Sequence, residues 1–307
     1  MVVNNLFPVF AIIILGALLK KTNLTNDAFL ATSDRLIYYI FFPALLFWKI
    51  GASAQTFSPE SLRFYGAALA AIGILYVLST LFIIIYKVPD FQAGTFSQSC
   101  YRFNTYIGMA VILTAWGEPG MAQFGVLIGA AIPIINVMAV TTLIWFSDQS
   151  LARSKRLRLT FAALGTNPLI LACATGIVYA HWINSFPIFV ENTLKLGATI
   201  TLPLALLSIG GTLTLGNLKR YLSLAMVGAT FKLIILPAIG WFMMQLLNVA
   251  PVFYPVGMLF FALPTSTAIF VLSAQLNSDT ELAAAAVVLS TGLSFFSMSL
   301  VLWYFNG

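Results

Sequence analysis

The sequence predicts an all-α membrane protein of ten transmembrane helices, set out as two inverted five-helix repeats whose fourth and ninth spans are broken. Three observations carry this reading. Of 307 residues, 60% are hydrophobic and only 8% are charged, whereas soluble domains carry roughly 25% charged residues to face water. The apolar residues come in blocks of about 20, the length at which a helix crosses a hydrocarbon core of ~30 Å. Finally, the two halves superpose, proline on proline and glycine on glycine, with a constant shift of 160.

Taken in order, the spans fall near 6–20, 28–51, 61–86, 96–116, 120–147, 160–182, 190–214, 220–247, 253–276 and 281–304. Connections are short, so the chain divides into one five-span repeat over 1–150 and a second over 151–307. The first apolar block has no basic residue before it and Lys20-Lys21 after it. A secretory signal has the reverse order, so the block reads as a retained first span. Arg153, Lys155, Arg156 and Arg158 crowd the loop after the fifth span. With that loop cytoplasmic, Lys20, Lys21, Lys87, Lys219 and Arg220 also fall inside, only Lys49 and Arg63 lie near outer ends, and both termini are outside.

The net charge of +6 forms no long stripe, which argues against nucleic acid as a partner; the lipid bilayer is the partner instead. Cys100 and Cys173 lie in apolar blocks and read as small hydrophobes. Asn23-Leu24-Thr25 matches a glycosylation sequon, but its cytoplasmic placement makes the match accidental. No metal or cofactor is expected.

Under the shift of 160, Pro8 meets Pro168, Gly16 meets Gly176, Pro43 meets Pro203, Gly51 meets Gly211, Arg35 meets Lys195 and Thr105 meets Thr265. Because five is odd, the second copy inserts upside down, an arrangement common in secondary transporters. In such repeats, substrates bind where one span of each half is interrupted. The fourth span reads Arg102-Phe103-Asn104-Thr105 and the ninth Pro264-Thr265-Ser266-Thr267, with Asn104 and Pro264 coinciding. Pro264 removes a helical donor and crowds the turn before it. Thr265, Ser266 and Thr267 are placed to cap a helix that restarts there. The amide of Asn104 in mid-membrane needs a loosened backbone or a ligand. Restarted half-helices would aim N–H groups and partial positive charge at the centre, which suits a carboxylate. The competing reading is a simple proline kink with Ser and Thr bonded to their own helix.

These residues also resemble a family. Arg102-Phe-Asn-Thr-Tyr-Ile-Gly108, Trp116-Gly-Glu-Pro-Gly120, Ala131-Ile-Pro-Ile-Ile-Asn-Val137, Ala262-Leu-Pro264 and Gln275-Leu-Asn277 resemble the auxin efflux carrier family in its bacterial form. The resemblance implies two five-span repeats with crossed broken helices, a scaffold beside a mobile transport domain, substrates such as auxin or dicarboxylates like malate and malonate, and a homodimer. It places Asn104 and Pro264 at the crossover against the substrate. The long cytoplasmic loop of many plant members is absent.

Among in-span charges, Asp34, Arg35, Lys195 and Glu191 lie near span ends, where snorkelling explains them as well as coupling does. Arg102, two residues before Asn104, is placed to reach an anion or a lipid phosphate. Lys232, half-way along its span, is a coupling or charge-pairing candidate. Asn136 in the fifth span is either a helix–helix hydrogen bond or a further substrate contact.

The function expected is alternating-access transport of a small organic anion, with substrate contacts at Arg102, Asn104, Thr105, Asn136, Pro264, Thr265, Ser266 and Thr267, and coupling candidates Asp34, Arg35, Lys195 and Lys232. A sodium-coupled symporter of the bile-acid type is the alternative, disfavoured because the breaks carry neutral oxygens and the nearest acids, Asp279 and Glu281, lie in the next loop. A receptor that binds without translocating is a third reading. An enzyme is not expected: the one histidine, His181, lies at an outer end, and no zinc, nucleotide or paired-aspartate motif is present.

Overall fold

The computed structural model describes residues 2–52, 59–147, 158, 161–162, 165–183, 185–212 and 218–306, all of it helix and short connections. The helices are α1 (Val2–Lys21), α2 (Asp27–Leu36), α3 (Phe42–Gly51), α4 (Pro59–Tyr86), α5 (Asp90–Tyr101), α6 (Thr105–Ser147), α7 (Pro168–Trp182), α8 (Ile188–Thr212), α9 (Leu218–Thr230), α10 (Leu236–Leu246), α11 (Tyr254–Ala262), α12 (Ala268–Gln275) and α13 (Thr280–Asn306). Among the described residues, six helical stretches are long and apolar enough to cross a membrane: Asp27–Gly51, Pro59–Tyr86, Asp90–Phe146, Ile188–Gly211, Lys219–Leu246 and Thr280–Phe305. Their outward faces carry bare apolar side chains such as Ile85, Phe296 and Trp303. Water would penalise such a surface and lipid does not. The basic loop residues Arg153, Lys155 and Arg156, the repeat boundary at 150, and the Cys173 side chain lie outside the described residues; Cys100 is buried and donates its Sγ–H to the Phe96 carbonyl.

Asp90–Phe146 is too long for one crossing, and it does not run straight. Phe103 and Phe124 stand with ring centroids 6.4 Å apart, although a continuous helix would separate them by about 31 Å. The reversal sits at Gly117, whose φ of 62° and ψ of −153° belong to a region open essentially to glycine alone. Pro119 then starts the returning helix, where its missing N–H costs nothing. Trp116-Gly-Glu-Pro-Gly120 is thus the turn of a helical hairpin. Its tip is held by an ion pair between Glu118 and Lys49 at the end of α3.

Two further prolines leave a matching mark. Ile37–Phe41 and Phe231–Ile235 are single π-helical turns, each ending two residues before a proline, Pro43 or Pro237. A proline within a helix supplies no N–H to the preceding turn and pushes on its carbonyl; the backbone widens there instead of breaking.

Small residues set the tightest packing. A Cβ on Gly16 of α1 would land on the Leu207 carbonyl of α8, and one on Gly210 of α8 would land on the Ile13 carbonyl of α1. The α3–α7 contact repeats this: a Cβ on Gly176 would approach Ile50 Cβ at 3.1 Å and the Phe47 carbonyl oxygen at 3.3 Å. Gly16 with Leu207 and Gly176 with Phe47 are the same pair of positions exchanged under the shift of 160. With no hydrophobic drive between helices in lipid, backbone approach of this kind supplies the dispersion that holds them together.

Candidate functional site

Both predicted interruptions are present, and they touch. Helix α5 ends at Tyr101, Arg102 is extended (φ −69°, ψ 142°), and α6 restarts at Thr105. Helix α11 ends at Ala262, Leu263 is extended (φ −64°, ψ 148°), and α12 begins at Ala268. The Asn104 N–H donates to the Pro264 carbonyl at 2.8 Å, so the two positions that coincide under the repeat shift are bonded to each other. Half-helices α5 and α12 pack together on one side of the break, α6 and α11 on the other.

Ordinarily a broken helix strands backbone groups; here side chains collect them. The Asn104 Oδ1 accepts from the Ile107 N–H at 3.1 Å, an N-cap for α6. On the other chain segment, the Thr265 N–H donates to Ser290 Oγ at 3.1 Å, and Ser297 Oγ donates to the Ala262 carbonyl at 2.9 Å. Lys232 Nζ donates to the Phe261 carbonyl at 3.2 Å.

The capping trio needs correction. Only Ser266 caps α12, accepting from the Ala268 N–H at 3.2 Å. Thr267 makes no side-chain cap. Thr265 turns away, and its hydroxyl bonds the Ser99 carbonyl of α5 at 2.9 Å. The reason is the crossing itself: α5 leaves a carbonyl exposed within reach, and a buried acceptor draws the nearest hydroxyl.

The Tyr101 hydroxyl at the end of α5 is buried with no hydrogen-bond partner among the described residues, and so are two N–H donors, Arg102 Nη1 and Asn104 Nδ2. They flank Phe103, which fills the gap between Phe260 and Phe124. In extended chain, residues two apart project to the same side. The Arg102 charge also reaches the phenols of Tyr101 and Tyr38. Tyr106, just past Asn104, packs on Phe42 of α3 with centroids 4.7 Å apart, so this side of the break faces α2 and α3. The Asp34 carboxylate accepts from Ser208 of α8 and lies within electrostatic reach of Tyr106.

The remaining candidates do not gather here. Arg35 and Lys195 are exposed. Asn136 is buried on the returning arm of α6 with no bond to the break among the described residues. An apolar recess of about 330 Å³ lies apart from the break, lined by Phe47, Thr175, Val178, Tyr179 and Trp182.

Sequence reasoning missed a buried polar seam between α5 and α12. Ser278 Oγ donates to the Phe91 carbonyl at 2.8 Å, which spends its proton. Thr95 must then donate to Ser278 (2.9 Å) and Ser273 to Thr95 (2.7 Å), while Gln98 Nε2 feeds Ser273 at 3.0 Å. One proton per hydroxyl fixes the direction of the whole chain. The signal was legible: Gln92, Thr95 and Gln98 recur three residues apart on α5, close to one helical turn.

If the break is a working element rather than a kink, Pro264→Ala will lower flux in vesicles more than it lowers the yield of folded protein. Equal losses in the two measurements would make Pro264 purely structural.

Residues 157–304 match the membrane transport protein family. Over 306 residues the chain is 24% identical to a Rhizobium meliloti (strain 1021) protein provisionally named a malonate transporter, covering 94% of this chain and 90% of that one. It is 22% identical over 305 residues to an uncharacterized transporter of Methanocaldococcus jannaschii, covering 96% of each. The motifs around the first break, the family match across the second half and two transporters aligned nearly end to end agree, and all are consistent with the auxin efflux carrier family of membrane transport proteins.

Proposed function

We propose that the protein is a secondary active transporter that moves a small organic anion, a carboxylate or dicarboxylate, across the cytoplasmic membrane by alternating access. The observation that carries the reading is the pair of buried, unpaired donors, Arg102 Nη1 and Asn104 Nδ2, beside the crossing. Leaving a buried donor unpaired costs about 1–3 kcal/mol, more for a charged one. A carboxylate between them removes both penalties, and the N-terminus of α6 adds favourable potential. The Rhizobium relative's name supports a dicarboxylate such as malonate.

The architecture proposed with it has ten spans in two inverted repeats. Taking the stretch folded at Gly117 as two crossings, and adding α1, α7 and the α11–α12 pair, brings the apolar stretches to that number. The exchanged glycine contacts and the Asn104–Pro264 bond support an axis between the repeats. Lys20, Lys21, Lys87, Lys219 and Arg220 share one side in this layout, which favours termini outside.

The test is flux of labelled mono- and dicarboxylates in vesicles reconstituted with purified protein, alongside thermal-shift binding. Binding without flux would make the protein a receptor; neither, across the series, would end the anion assignment. With a responding anion in hand, Arg102→Lys is expected to weaken binding about tenfold, because an ammonium offers no planar fork to a carboxylate. Titration calorimetry reads that change, and unchanged affinity removes Arg102 from the site.

A further inference from the structure

The geometry points to Lys232 as a built-in cation, holding the place at the crossing where other broken-helix transporters bind a monovalent metal ion. The ends of half-helices gather unpaired carbonyls and the negative pole of the helix dipole, and these ends are where such proteins ligate Na⁺. In this chain the last turn of α11 directs its Phe261 carbonyl at Lys232 Nζ, 3.2 Å away. The side chain is fully buried, half-way along a membrane helix. It belongs to neither of the ion pairs found among the described residues, Lys20–Asp27 and Lys49–Glu118.

The surroundings match this role. Lys232 sits in the π turn Phe231–Ile235, where the widened backbone re-aims its side chains relative to the helix before it. One turn earlier on the same face, Gly228 lies against the Ser99 hydroxyl near the end of α5. This face of the helix therefore runs along the carbonyl ends of both α5 and α11. At the α5 end, the Ser99 carbonyl takes a hydroxyl from Thr265; at the α11 end, the partner is the Lys232 side-chain nitrogen. The position equivalent to Lys232 under the repeat shift is Ile72, also fully buried. Beside Arg102 in the first break, the crossing thus has a second basic group, at a position where only the second repeat supplies one. A tethered ammonium does not leave with the substrate, so the crossing stays assembled with no metal ion bound. This inference does not rest on the anion reading, and its test reads stability rather than flux.

The experiment compares melting temperatures of purified protein in NaCl and in choline chloride at equal ionic strength. The native protein is expected to melt at the same temperature in both. Lys232→Met, which removes the charge and keeps the bulk, should melt about 5 °C lower in both salts. Lys232→Ala, which removes both, should regain part of the loss in NaCl or methylammonium chloride and none in choline chloride. Sodium-specific stabilisation of the native protein overturns the inference whether or not either variant folds. So does a Lys232→Met protein that melts with the native one.

Discussion

Asn104→Ala should abolish transport while leaving folded, membrane-inserted protein. Two jobs of one side chain are removed. The Oδ1 caps α6 through Ile107, and loss of such a cap costs about 1 kcal/mol. That is too little to unfold a bundle of this size. The Nδ2 is an unpaired donor beside Arg102, and under the proposed function its loss takes away a contact to the solute. Asn104→Asp separates the two jobs. Aspartate keeps an oxygen to cap α6, so stability should stay near native, yet at neutral pH it sets a negative charge where the proposed function seats an anion. Flux and thermal shift with a responding carboxylate should both vanish in Asn104→Asp, and size-exclusion profiles should not change. Were Asn104→Asp to transport normally while Asn104→Ala did not, the residue would be a helix cap and nothing more, and the site would have to be sought elsewhere.

The backbone-to-backbone bond from Asn104 to Pro264 survives both substitutions. This explains why the two breaks should hold their places when the amide is lost. It also bonds two positions that coincide when the halves of the sequence are laid on each other. Proline, glycine and a mid-membrane amide are expensive in a lipid-facing helix, so they persist where geometry demands them, and they line up under a single shift. Leucine and alanine, which fill any apolar face, carry no such register.

What escaped the sequence was decided by tertiary neighbours. Thr265, Ser266 and Thr267 look alike in one dimension, and each is a competent cap; only the approach of α5 assigns Thr265 to the Ser99 carbonyl and leaves the cap to Ser266. The fourth span begins at Asp90, earlier than its apolar block suggests, because Thr95 and Gln98 are polar yet buried, and Gln92 half-buried, against α12 and the loop beyond it. Hydropathy registers such residues as surface, whereas their partners lie some 180 positions away. Gly117 stood out as part of the Trp116–Gly120 motif between two blocks, and its positive φ is what turns that spacing into a hairpin.

The glycine contacts yield the second large effect, this one on stability. A single methyl on Gly210 or Gly16 would have to displace a carbonyl of the facing helix, Ile13 or Leu207, and backbone cannot rotate away as a side chain can. The α1–α8 pair must separate, losing close contact along its length; overpacking of this kind costs about 1–3 kcal/mol or more. Gly210→Ala and Gly16→Ala should therefore melt about 5 °C or more below native. Gly176→Ala should lose less, because its nearest neighbour is the Ile50 side chain at 3.1 Å, which has some room to adjust. Gly73→Ala on α4, where nothing lies within 4 Å of the new carbon, should hold or gain stability through helix propensity. That ordering, read by melting in detergent, is a demand of the repeat packing. A Gly16→Ala protein as stable as native would show that α1 and α8 do not approach so closely, and the exchange of contacts between the two halves would lose its physical basis.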